Sequence, residues 1–137
     1  MSVSASIGFG LWKEQSFSEI IKLLLANGWE ASYHGRINYS VNDYNYLNAE
    51  ADQLDEVLKL LDKESSDSPS ITLINTKIKS GGELLHHRNS NFSHFSLTLS
   101  VNRIVDTTTN LTDFKLYLEQ LQCLIPISQL VEFNEIK

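Results

Sequence analysis

Strict alternation of apolar with small or polar residues is the feature that most limits what this chain can become. Val3, Ala5, Ile7, Phe9 and Leu11 interleave with Ser2, Ser4, Ser6, Gly8 and Gly10, the period of two that puts one set on each face of a strand. A second run sets Trp29, Ala31, Tyr33, Ile37, Tyr39 and Val41 against Glu30, Ser32, His34, Arg36, Asn38 and Ser40. It predicts one long, half-buried strand. "ITLINTKIK", "ELLHHR" and "FSHFSLTLSV", separated by "SGG" and "NSN", predict a meander of hairpins.

Helical spacing fills the gaps between these strands. Ser16 and Glu19 form a capping box ahead of Phe17, Ile20, Ile21 and Leu24, and Gly28 ends that helix. Leu47, Ala51, Leu54, Leu58 and Leu61 predict a second amphipathic helix. A third is capped by Asn110, carries Leu111, Phe114, Tyr117, Leu118 and Leu121, and is stopped by Pro126. The tail "ISQLVEFNEI" fits either helix or strand. The expected fold is therefore a single α+β domain over residues 1–137: a two-layer sandwich whose largely antiparallel sheet carries about three helices on one face, with a ferredoxin-like start as one option. Its other face would be open to water or a partner.

Composition narrows the functional classes. The 137 residues hold one cysteine, Cys123, so no intramolecular disulfide is possible. The N-terminus lacks the charged opening and apolar run of a secretory signal, and no apolar stretch approaches the ~20 residues that span a bilayer. A cytoplasmic protein without a membrane partner is expected. The net charge of -6 disfavours a nucleic-acid partner, as does an open sheet face without aromatics for base stacking. No G-x-S-x-G, phosphate loop or dinucleotide fingerprint occurs, so neither a catalytic residue nor a cofactor is assigned.

The stretch "LLHHRNSNFSH" holds three of the four histidines. Strand parity sends His86 and His87 to opposite faces, so only one can oppose His94. A three-residue loop at Asn89–Asn91 sets His86 against His94; a two-residue loop sets His87 there instead. A facing His86 and His94, with Arg88 beside them, could share a proton, hold an anion or serve a small enzyme. Two imidazoles are too few for zinc, so no metal is expected. His34, Arg36, His86 and His94 make up a second candidate surface on the polar sheet face.

The first candidate surface is the acidic segment. From Asp43 to Asp67 eight acids stand against Lys59 and Lys63, so this stretch carries the whole excess of -6. Asp43, Glu50, Asp52, Asp55, Glu56, Asp62 and Glu64 are its candidate contact residues, suited to a basic protein. In its size, acidity and concentration of acids, the chain resembles the small acidic immunity proteins encoded beside bacterial polymorphic toxins of contact-dependent growth inhibition or type VI secretion systems. That resemblance implies a protein that binds one cognate toxin domain, often a basic nuclease, and neutralises it by covering the active site or a nearby surface. It transfers no individual site residue.

Overall fold

A computed structural model describes residues 3–42, 45–63, 68–88 and 93–137. In chain order its elements are β1 (Ser4–Leu11), α1 (Phe17–Leu25), β2 (Trp29–Glu30), β3 (Ser32–Tyr33), β4 (Arg36–Ser40), β5 (Tyr46–Glu50), α2 (Leu54–Leu61), β6 (Ser70–Asn75) and β7 (Ser80–His87). There follow β8 (His94–Val101), β9 (Val105–Asp106), β10 (Leu111–Thr112), α3 (Phe114–Gln120) and β11 (Ser128–Ile136). Nine strands form one antiparallel sheet in the order β11-β1-β8-β7-β6-β4-β3, with β5 on β4 and β2 on β6. β9 and β10 form a separate pair.

The expected two-layer α+β sandwich is not what forms. Among the described residues the protein is mostly β, 46% strand against 22% helix, and its sheet curls strongly into a half-barrel with three short helices. Part of the difference is local. Tyr46–Glu50 is a strand on β4 rather than the start of the second helix, Leu111 lies in β10 rather than in the third helix, and the tail becomes β11. The long strand expected over residues 29–41 folds into a hairpin instead. His34 (φ 54) and Gly35 (φ 78) form a two-residue turn between paired Tyr33 and Arg36, both in the left-handed region that such a turn requires.

Curvature has its own source at Gly81 and Gly82. A side chain at Gly82 would lie 1.6 Å from the Thr98 carbonyl oxygen, and one at Gly81 would lie 2.0 Å from that of Leu73. Only glycine lets the flanking strands come so close, and a register shift falls between Gly81 and Glu83. Bulged, side-chain-free positions of this kind increase local twist and let a sheet roll up.

The core lies on the sheet face covered by the helices. One cross-strand row runs through Leu47, Tyr39, Ile71, Leu84, Leu97, Ile7 and Phe133. Its five middle members are buried, and its two ends are exposed. From α1, Phe17, Ile20, Ile21 and Leu24 are buried in the same cluster. As the spacing predicts, Ser16 caps this helix by accepting the Glu19 N–H at 3.2 Å. α3 is tied in through polar bonds: the Trp29 indole donates to Gln120 O at 2.9 Å, and the buried Tyr117 hydroxyl meets Ser80 Oγ at 2.5 Å. No helix among the described residues is long and apolar enough to cross a membrane.

Candidate functional site

The β7–β8 ladder decides between the two hairpin registers. His87 stands opposite His94, and His86 stands opposite Phe95. The loop residues Asn89–Asn91 themselves lie outside the described residues. Facing His86 and His94 is therefore corrected: the two point to opposite faces of the sheet. The His86 ring stacks on Phe95 (centroids 4.4 Å apart, 15° between planes) and lies 5.6 Å from Phe17. Arg88 also has a structural task. Its guanidinium donates to the Leu61 carbonyl at 2.5 Å and to that of Lys63, closing the C-terminal end of α2. The trio His86, His94 and Arg88 is not assembled into one site.

Burial lowers the His86 pKa to about 4, helped by the positive charge of Arg88 and by His87 and opposed by Asp62. In an unfolded chain the same group titrates near 6.5. Between these values the unfolded chain binds a proton that the folded one refuses, so this contribution is complete above about pH 6.5 and fades as the pH falls toward 4. Partial exposure reduces it to on the order of 1–2 kcal/mol. The urea midpoint of His86→Phe is expected to fall less than that of the parent chain between pH 7 and pH 5. Parallel falls would mean that other groups carry the acid sensitivity.

A different cluster occupies the outer face. His87 Nε2 and Ser96 Oγ are 2.7 Å apart, and the His87 and His94 rings lie 4.9 Å apart at 30°. His94 reaches over Gly8, where an added Cβ would meet its Nε2 at 3.3 Å and Glu132 Oε2 at 3.9 Å. The side-chain-free Gly8 is what admits both. Burial lowers the His87 pKa, with a further contribution from His94, which favours a neutral ring bonded to Ser96. Burial raises the pKa of nearby Glu83, against a bond from Ser70. The group can share protons. No group of three or more His, Cys, Asp or Glu among the described residues could hold a metal ion.

The remaining members of the second candidate surface lie elsewhere. His34 sits in the β3–β4 turn with its ring 4.0 Å from that of Tyr33. Arg36 forms an ion pair with Glu50 at 2.6 Å and bonds Asn48. Glu50 and Arg36 thus join the acidic region rather than the histidines.

That region keeps its acids together. Asp52, Asp55, Glu56 and Asp62 are exposed along the 3-10 turn Ala51–Gln53 and α2, while Val57, Leu58 and Leu61 face the core. Asp62 accepts the Ser18 N–H at 2.9 Å as well as the Ser18 hydroxyl, and so links α2 to the first turn of α1. A groove of about 310 Å³ between the helices is lined by Ser18, Lys22, Asp55, Leu58, Lys59 and Asp62. Asp43 and Glu64 fall outside the described residues. Beside α2 runs β5, which pairs only with β4 among the described strands. Its Tyr46 is 66% exposed and its Leu47 38%. Neither was expected at this surface, although the alternation of Tyr46, Asn48 and Glu50 with Leu47 and Ala49 carries the strand signal.

No protein-family model, curated protein or solved structure matches the chain.

Proposed function

We propose that this protein is a binding module that neutralises a basic protein domain, as an immunity-type inhibitor does a cognate toxin, through the surface formed by β5 and α2. The observation that carries it is the conjunction at one sheet edge: β5, with exposed Leu47 on the helix-covered face and exposed Tyr46 on the other face with Glu50, runs beside the exposed Asp52, Asp55, Glu56 and Asp62. Residues 45–63 contain five acids against two lysines. Exposed aromatic and apolar residues next to charged ones are the usual composition of a protein-recognition surface. An acidic field raises the rate of encounter with a basic partner.

The partner is to be sought first in the polypeptide encoded beside this one. With that domain in hand, the triple change Asp52→Lys, Asp55→Lys and Glu56→Lys is expected to slow association by roughly tenfold or more and to flatten its dependence on salt. Tyr46→Ala is expected to act on dissociation instead. Stopped-flow or surface-plasmon kinetics separate the two effects. Unaltered rates in the charge-reversed protein would remove α2 from the interface.

A further inference from the structure

One side of the sheet ends at β11, whose inner edge pairs with β1 and whose outer edge pairs with no strand among the described residues. Its nine residues make an edge roughly 30 Å long at about 3.4 Å per residue. Edge strands that remain single are usually short, bulged, or guarded by lysine or proline. Ser128–Ile136 contains no lysine, arginine, proline or glycine, and it runs in unbroken register with β1 from Leu130 to Ile136. Of its two acids, Glu135 is engaged by its own chain and Glu132 is exposed. Glu135 accepts the Thr112 N–H at 2.7 Å and lies 3.7 Å from Arg103, and Glu132 lies over Gly8. Beside the exposed polar Gln129, Glu132 and Asn134, the strand shows large apolar side chains on both faces: Phe133, 45% exposed although its ring packs on Phe114, on the core side, and Leu130 at 39% and Ile136 at 70% on the outer side.

We infer that a second copy of this chain adds to this edge, β11 antiparallel to β11, joining two half-barrels about a twofold axis at Phe133. Self-complementarity selects a second copy over an unrelated strand. Centred on Phe133, the pairing sets Phe133 against its own copy, Leu130 against Ile136 and Glu132 against Asn134, with no like charges opposed. Centring on Glu132 would oppose two carboxylates, and centring on Asn134 would set Phe133 against Glu135 and Ile136 against Glu132. The favoured register also continues the apolar row that ends at Phe133 into the corresponding row of the second copy. The edge alone falls short of the ~800 Å² per partner of a standard stable interface. The association is accordingly concentration-dependent, with dimer dominant near about 100 μM and monomer near about 1 μM.

Sedimentation velocity of the full chain over that range tests this, together with two sets of variants. Leu130→Lys with Ile136→Lys alters exposed outer-face positions, so circular dichroism is expected to stay unchanged while dimer affinity falls at least tenfold. In a Cys123→Ser background, Phe133→Cys is expected to form a disulfide-linked dimer on mild oxidation, because opposed residues of antiparallel strands lie about 4.5–5.5 Å apart. Gln129→Cys, far from its own copy in this register, is expected not to. A chain that stays monomeric throughout, or a dimer indifferent to both lysines and cross-linking equally at positions 129 and 133, overturns the inference.

Discussion

Gly82→Ala is expected to prevent stable folding, with a loss of about 4 kcal/mol or more out of the 5–15 kcal/mol typical of a domain. An alanine Cβ would stand 1.6 Å from Thr98 O, 2.7 Å from Thr98 C and 2.8 Å from Ser100 N. All three atoms belong to backbone, so no side chain can rotate away. Relief requires β8 to move, and β8 is held on its other side by β1 through Phe95, Leu97 and their neighbours. Gly35→Ala is the control: nothing lies within 4 Å of the added carbon there, and the difficulty is the positive φ of 78 alone, worth about 1 kcal/mol. Denaturant titration of both variants is the measurement. A Gly82→Ala protein as stable as the Gly35→Ala one would mean that the close approach of β7 and β8 is not what sets the curl.

Tyr117→Phe is the second large effect, at about 2–3 kcal/mol. The ring is fully buried, and its hydroxyl occupies the middle of a short chain of bonds. Ser80 Oγ donates to Val101 O at 2.9 Å, which leaves the tyrosine to donate to Ser80 Oγ at 2.5 Å. The same hydroxyl accepts the Ile104 N–H at 2.9 Å. Phenylalanine preserves the packing but strips the partner from the Ile104 amide and the donor from a fully buried serine. A urea titration is expected to show a lower midpoint with an unchanged slope. A shift below about 0.5 kcal/mol would assign the joint between α3 and β7 to apolar contact alone.

Strand positions with a small-residue face were legible from alternation alone. β1 and β8 occupy the expected stretches, and Ser6, Gly8, Ser96 and Thr98 become neighbours as a polar face requires. The cap of α1 was equally local, since Ser16 and Glu19 are three residues apart. What failed was non-local. Leu47 matches a helical stripe with Ala51 and Leu54, but pairing with Tyr39 takes it into β5. β11 has too mixed a pattern to be recognised, and its strand character comes from eight residues of β1 that need a second neighbour. Gly81 and Gly82 look like a turn, yet they lie inside β7, where a neighbouring carbonyl rather than chain reversal demands them. The histidines show the same division. Parity correctly parted His86 from His87, but the choice of partner for His94 rested on a loop length that residue types alone left open.

The placement of β1 sets the order in which the protein can complete itself. Phe9 pairs with Phe95 on one side and with Val131 on the other, so β1 waits for two strands that are made much later in the chain. Until they arrive, Ala5, Ile7, Phe9 and Leu11 form an apolar ribbon with two open edges, a target for any other unpaired strand. Contacts of such wide sequence separation also make folding slow, because the chain must close long loops before the ladder offsets their entropy. During synthesis, β1 is therefore a strand that benefits from shielding until β8 and β11 have emerged.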